Sequence, residues 1–493
     1  MTSSAAALRR HRRPGIALPW WALTGGAFAA LGASAAVLVA VLGFWALLVP
    51  LYAALLGLAI FAPRKSALLL LFLGLAFEPA AIDQTKPISV ALFEMAPALE
   101  GIFPVTISPF ELFLTFTAIS FAFRKNTAQG LQPLPMLVWA IPIVMAAGLA
   151  YGLSQGGDST LAYHEMRGLI YSSLAFIIAR KMMGVDGWTV ARVAMLASTT
   201  LALIVTVRYQ VYIKDGNSPV PVEAAFAHED AVFLGLAFVA GCLLMIRTQK
   251  PRRRWLFLLH NLIVLFALLA TGRRAGTLVL IVGMLFTFAF LLPRKPALVL
   301  MASLPLFVLG ALYLGAYWNK TYGAAAQPAR AVRSQIDPDA RDDSSDQYRV
   351  NERFNVEQTL YLGEIFGVGF GRPFVSFYPL PDLTSFWPLQ NYTPHQNILW
   401  LWLKMGIVGI SAFLTLWVLA LRQCFLNMRG FARAPVLPVV PMITAAGLAC
   451  YLAYGKVDLA FVSTRSCGLL AVLMAVALSL KAAESLHKKA IDE

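Results

Sequence analysis

Residues 255–292 read WLFLLHNLIVLFALLATGRRAGTLVLIVGMLFTFAFLL. Two apolar runs, 255–271 and 275–292, each approach the ~20 residues that an α-helix needs to cross a bilayer. Between them stands T-G-R-R-A-G, long enough only for a tight turn. In lipid, backbone amides are satisfied when each run forms its own helix. The stretch therefore predicts an antiparallel pair of membrane helices.

The same reading extends outward in both directions. Further apolar runs fall at about 18–40, 42–62, 66–82, 107–123, 134–153, 167–183, 188–207, 231–247, 296–317, 397–420, 435–453 and 462–481. With the opening pair this gives fourteen candidate spans. The stretch after Arg9, Arg10, Arg12 and Arg13 stays apolar to about Ala62. That is twice the length of one span, so it predicts two helices and no cleavable leader. Of the 493 residues 59% are hydrophobic and 13% charged, with mean hydropathy +0.70, a composition that water does not tolerate in a soluble domain. The four cysteines, Cys242, Cys424, Cys450 and Cys467, lie in or beside apolar runs without CxxC spacing. They read as small core residues and not as a disulfide framework or a metal site.

Net charge is +15, but a nucleic-acid partner is not needed to explain it. Cytoplasmic loops of membrane proteins collect Lys and Arg. If the N-terminus is inside and every candidate spans, 24 of the 40 basic residues fall on the cytoplasmic side and 16 outside, seven of these in one long loop where charge has little influence on topology. Both termini come out cytoplasmic. The expected fold is all-α: a polytopic transmembrane helix bundle of about 12–14 spans. It divides into an N-terminal bundle (1–317), a large outer loop containing short helices (318–396) and C-terminal transmembrane helices (397–493).

Two outer connections carry most of the polar residues. Residues 83–106 hold Asp83, Lys86, Glu94 and Glu100. In the longer one, about 342–366 predicts a helix with Asp343 or Ser344 as N-cap and apolar faces at Tyr348, Phe354, Leu360 and Leu362. Gly367 to Gly371, G-V-G-F-G, predicts a turn after it. No internal repeat is visible, which argues against the inverted-repeat transporters.

Several residues could carry chemistry. His395 opens T-P-H-Q-N-I-L-W-L-W-L-K-M-G-I-V-G-I (393–410), where the loop re-enters the membrane. An imidazole there is either a proton-transfer group or an interfacial residue that only fixes the loop. Gly406 and Gly409 in the same helix permit close packing. Arg273 and Arg274 sit on the outer side, against the positive-inside bias. They suit a phosphate or diphosphate, since Arg offers fixed bidentate donors, or they snorkel to lipid phosphates. Arg349 and Arg353 are spaced i, i+4 and present two charges on one face, unless Asp346, Glu352 and Glu357 neutralise them. Arg167 follows the same logic. Lys404, deep in its helix, requires a cavity or a carboxylate partner. His260 and Asn261 read as polar packing. There is no P-loop, HExxH or GxSxG, and no carboxylate cluster suited to a metal.

Taken in order, R-R-A-G at 273–276, Ser345 to Arg349, Gly367 to Gly371, and His395 through Gly409 resemble the O-antigen ligase and O-antigen polymerase superfamily of bacterial integral-membrane glycosyltransferases. The resemblance is best over about 255–425. It departs where Arg273 replaces a Ser, where H-Q-N replaces H-N, and where Lys404 stands for an acidic residue. The resemblance implies a glycan on a polyprenyl (undecaprenyl) diphosphate carrier as donor, and a lipid A core or growing polysaccharide as acceptor, in lipopolysaccharide or exopolysaccharide synthesis. The site would face the periplasm from the inner membrane. By matching position Arg274 and Arg349 would hold the diphosphate with Arg273 and Arg353 as helpers. His395 would be the catalytic residue, accepting the proton of the acceptor hydroxyl. No metal or cofactor is implied, and inversion at the anomeric carbon is expected. A different class, a transporter or flippase of an anionic solute or lipid-linked sugar, would use Arg273, Arg274 and Lys404 as its path.

Overall fold

The computed structural model describes residues 48–78, 86–94, 107–124, 133–184, 187–213, 226–293, 295–320, 323–338, 340–363, 365–385, 387–430 and 438–479. The run at 18–40, the N-terminal arginines, Asp83, Glu100 and the C-terminal tail lie outside these. The opening pair of runs folds as two helices, Pro251–Ala270 and Arg274–Leu291. In chain order the described helices are α1 (Val49–Phe61), α2 (Pro63–Ala76), α3 (Lys86–Phe93), α4 (Pro109–Ala122), α5 (Leu137–Ser154), α6 (Ser159–Lys181), α7 (Gly187–Arg208) and α8 (His228–Arg247). They continue as α9 (Pro251–Ala270), α10 (Arg274–Leu291), α11 (Pro296–Tyr317), α12 (Gln327–Arg333), α13 (Ala340–Tyr361), α14 (Asn397–Gly430), α15 (Val439–Val457) and α16 (Thr464–Ser479). Eight helices among the described residues are long and apolar enough to span a membrane, and α1, α4 and α16 are shorter apolar helices. The chain is an all-α, multi-pass membrane protein.

Local chemistry sets the helix ends. Pro63, Pro109, Pro251 and Pro296 each open a helix, where a missing N–H loses nothing and the fixed φ is already helical. Ser108 caps α4 by accepting from the Glu111 amide at 3.2 Å, and the Glu111 side chain reaches back to the Ser108 amide, a capping box. Asp158 caps α6 by accepting from the Leu161 amide at 2.8 Å. Small residues then bring helices close. A Cβ on Gly276 would lie 2.8 Å from the Ala231 methyl, and one on Gly235 3.1 Å from Val279, so α8 and α10 pack with little between them.

The long loop is not a loose excursion. Its main helix, α13, begins at Ala340, three and four residues before the expected caps Asp343 and Ser344, and is six turns long, not short. Its buried face consists of Glu352, Asn355, Val356, Thr359 and Leu360, while Phe354 and Leu362 are exposed. The burial pattern is therefore largely polar, and Asn355 and Thr359 meet the backbone of Tyr378 and Val375 through hydrogen bonds of 2.7–2.9 Å. The following glycines run between α5 and α14. Phe370 is fully buried against Trp400, and its amide donates to the Gly148 carbonyl at 3.2 Å.

Gly369 has φ +81, and a Cβ there would lie 2.5 Å from Gly152 Cα. Both the left-handed backbone and the close approach demand glycine. Gly369→Ala is expected to weaken loop docking by about 1–3 kcal/mol. Limited proteolysis should then cut between residues 363 and 387, where the native chain resists.

Gly406 differs from expectation. It does not serve helix packing but breaks α14, with φ 65 and ψ −172, and the freed Ile407 amide donates to the Ile365 carbonyl at 3.0 Å. Gly409 does the packing, against Val144 of α5.

Candidate functional site at the loop end of the bundle

Alternate helix ends, all assigned by the topology reading to the same side, converge on one charged cluster. Asp230, near the start of α8, bonds Arg465 at the start of α16, and Arg208 at the end of α7 lies 3.6 Å from its other oxygen. Glu78, just past α2, accepts from the amides of Thr464 and Arg465 and so caps α16. The Arg465 guanidinium also donates to the Leu75 carbonyl at 2.8 Å. Asp230, Arg208 and Arg465 are buried and Glu78 is half-buried, and each is matched by an opposite charge or by backbone.

Above this base, α13 carries three ionic residues at intervals of three, Asp346, Arg349 and Glu352. At 1.5 Å per residue they span about 9 Å of helix, and each grips a different part of the chain. Asp346 takes the Arg274 fork in two contacts of 3.0 and 3.3 Å, with Ser334 Oγ at 3.4 Å from the same guanidinium. Arg349 reaches Asp458 at the end of α15, 3.5 Å away. Glu352 receives His395: both carboxylate oxygens lie 3.1 Å from Nδ1, and the His395 amide donates to Oε2 at 2.8 Å.

The Glu352–His395 couple is well supported. Glu352 is 2% exposed and His395 20%. The Tyr348 hydroxyl, 3.3 Å from Glu352 Oε1, is fixed in turn by Gln390. Burial, and after it the Glu352 charge, pushes the Tyr348 phenol above its ordinary range, so it stays a neutral donor. The rings of Tyr348 and Trp387 meet the imidazole edge to face at 5.6 and 5.1 Å. With Nδ1 directed at the carboxylate, Nε2 is the nitrogen left to handle a substrate proton.

Asp458 is a second junction. His228 Nδ1 lies 2.8 Å from the same Oδ2 that faces Arg349. Burial raises the Asp458 carboxyl, but contact with His228 and the fields of Arg349 and His395 outweigh it, holding the group well below the usual carboxylate range. Asn397 fastens the two junctions together: its Oδ1 accepts from the Phe461 amide at 2.7 Å, and its Nδ2 donates to the Pro394 carbonyl. The residue two positions after His395 thus holds the chain three residues after Asp458.

The residues singled out in the sequence do not all gather. Arg274, Arg349 and His395 share the face of α13. Arg273 turns the other way, donating from Nε to the Phe226 carbonyl at 2.8 Å. Burial pulls its guanidinium below its usual range despite Asp458, Glu229 and Asp230 nearby. Arg353 pairs with Glu357 at 2.9 Å on an exposed face. Arg167 is held by both oxygens of Glu111 at 2.7 Å, and by the Tyr171 hydroxyl. Lys404 is fully buried on Glu165 at 2.7 Å and donates to the Arg372 carbonyl, so it contacts neither arginine of the short turn. His260, bonded to Thr199 at 2.9 Å, packs in the interior as expected.

Sequence reading missed Glu352 as the partner of His395, and missed Asp458 and His228 altogether. A signal existed for the last two. Each stands at an outer end of an apolar run, in the connections 208–230 and 453–462, where an ionisable group needs a reason.

Fold and cluster together define a polytopic membrane protein whose longest loop closes a site of arginines and histidine–carboxylate couples at one end of the bundle. Residues 259–414, which include Arg274, Arg349, Glu352 and His395, match the family described as O-Antigen ligase, and this match supports the resemblance to the O-antigen ligase/polymerase-like superfamily. The O-antigen ligase of Salmonella typhimurium (strain LT2) is 26% identical over 241 residues, covering 48% of this chain and 56% of that protein. The match thus spans little more than half the length of this relative.

Proposed function

We propose that the chain is a membrane glycosyltransferase of the ligase or polymerase type. It moves a glycan from a polyprenyl-diphosphate carrier to an acceptor hydroxyl, on a lipid A core or a growing polysaccharide, at the periplasmic face of the inner membrane. The three divisions 1–317, 318–396 and 397–493 then act as scaffold, site wall and closing helices. The observation that carries this reading is the face of α13, which brings Arg274, Arg349 and His395 within about 9 Å of helix.

Arg274 and Asp346 are 28% and 41% exposed. A pair this exposed is weakly held, so a diphosphate can displace the carboxylate while the guanidinium fork stays aimed. Arg349 takes a second phosphate oxygen. Fixed cations at the departing diphosphate stabilise charge that develops as the anomeric C–O bond breaks. His395 Nε2 accepts the acceptor's proton, and Glu352 across the ring steadies the imidazolium that forms. With carrier and acceptor on opposite sides of the anomeric carbon, the product is inverted. No metal is invoked. Arg353, Arg273 and Arg167 act as supports for this site, not as ligands.

The test is transfer by the purified full-length chain in nanodiscs, given polyprenyl-diphosphate-linked glycan and an acceptor. Wild type is expected to release the carrier diphosphate only when acceptor is present. Arg274→Lys keeps the charge but loses the fork, and should lower the rate about 10–100-fold. Absence of release by the wild type would overturn the reading, and full activity of Arg274→Lys would remove Arg274 from it. Product length on the acceptor separates the polymerase from the ligase form.

A further inference from the structure

The site contains two histidines, each with Nδ1 beside a carboxylate that is almost wholly buried. His395 Nδ1 hydrogen-bonds Glu352, and His228 Nδ1 stands 2.8 Å from Asp458 Oδ2 as a charge-pair contact. Each remains partly exposed, by 20% and 32% of the side chain. Arg349 stands between the couples: it is three residues from Glu352 on α13, and it shares Asp458 Oδ2 with His228.

The position of Asp458 needs a physical reason. It follows the last residue of α15, and the C-terminal end of a helix repels a carboxylate. It stays because His228 and Arg349 face it and the Leu459 amide donates to Oδ1 at 2.8 Å. His228 is the first residue of α8, and Asp230 caps that helix by accepting from the Ala227 amide at 3.3 Å. The capping duty thus falls to Asp230, and His228 is not needed for it.

We propose that His228, oriented by Asp458, is a second proton-handling residue of the transfer reaction, acting on the diphosphate side while His395 acts on the acceptor side. This rests on the glycosyltransferase reading above. The anomeric carbon–oxygen bond to the diphosphate breaks with its electron pair leaving on that oxygen, and the acceptor oxygen forms the new bond. The acceptor's proton passes to His395 Nε2, and a proton from His228 Nε2 passes to the departing diphosphate. His395 ends charged and His228 neutral, and exchange with water restores both. The charged and titratable groups around the His228–Asp458 pair are Arg349 of α13, which shares Asp458 Oδ2, and His395, with Glu229 and Asp230 next along the helix of His228.

The discriminating variant is His228→Asn. Its side-chain amide nitrogen falls where Nδ1 was, keeping the contact with Asp458 while deleting Nε2. In the nanodisc assay, kcat should fall about 100-fold, the size of a lost general acid, with KM for the donor within about threefold. The wild type is expected to lose rate at high pH, as a general acid requires, and this fall should be absent from the variant. A kcat within twofold of wild type would overturn the proposal, as would a loss with the pH profile unchanged. Should His228→Asn not fold, as judged by gel filtration in detergent, His228→Gln takes its place with the same expected readouts, because its longer amide reaches the Nε2 position without a transferable proton. His395→Ala separates the two claims. If wild type transfers and His395→Ala does not, while His228→Asn does, only the second proton handler fails; if wild type does not transfer, the glycosyltransferase reading fails.

Discussion

His395→Ala is expected to leave the chain in the membrane but to reduce glycan transfer to background, and Glu352→Gln to lower it a hundredfold or more. In the producing cell, polyprenyl-diphosphate-linked glycan should accumulate as product disappears. The two substitutions remove different things. Alanine deletes the imidazole that takes the hydroxyl proton. Glutamine keeps the size of Glu352 but offers Nδ1 a neutral partner, and its NH2 group can turn the ring to the wrong tautomer. Glu352 also receives the His395 amide and the Tyr348 hydroxyl, so the entry to α14 loosens slightly in either variant. A merely structural His395 predicts a different pattern: Asn, which can keep the amide-like contact at Nδ1, would restore transfer. Restoration by His395→Asn, or product unchanged in His395→Ala, would remove His395 from the chemistry. Loss of donor from the outer leaflet in place of its accumulation would favour a flippase.

Much of this protein could be read from the sequence because lipid restricts backbone choices. Thirteen of the fourteen apolar runs overlap described helices, eight of which are long and apolar enough to span a membrane, and the run at 18–40 lies outside the described residues. Parity did the rest: alternate run ends, assigned to one side, do meet in the cluster of Glu78, Asp230, Arg274, His395, Asp458 and Arg465. Pairings were less legible. Glu352 lies between Arg349 and Arg353 in sequence, so helical spacing suggested that it neutralises them. The rotation of α13 instead turns Glu352 inward to a histidine 43 residues away. Arg273 and Arg274 looked like one double cation, yet adjacent residues at a helix start point in different directions, one to Phe226 and one to Asp346. The expected cap at Asp343 or Ser344 failed because polar residues continue a helix as readily as they start one when a tertiary surface holds it. Local pattern thus located the elements, and tertiary partners decided what each charge does.

Lys404→Met is expected to destabilise the fold by about 3–5 kcal/mol, whereas Lys404→Met combined with Glu165→Gln should return to within about 1 kcal/mol of wild type. Both side chains are fully buried, and Nζ lies 2.7 Å from Glu165 Oε1. Removing the lysine alone strands a carboxylate in a nonpolar interior. Removing both charges does not, and glutamine keeps an oxygen for the Gly371 amide, which donates to Glu165 Oε2 at 2.6 Å. Restoration by the double variant would mean that Lys404 anchors α14 to α6 and to the glycine turn, with no part in moving a substrate. The readout is unfolding of the purified protein in lipid micelles, followed by donor-dependent transfer in nanodiscs. A single variant as stable as wild type would show that the pair does not hold the fold. A double variant that regains stability but not transfer would instead give Lys404 a part in the reaction. The expectation is that both return together, because the turn held by Glu165 leads, through Arg372 and the chain that follows, to the loop wall carrying Trp387 and His395.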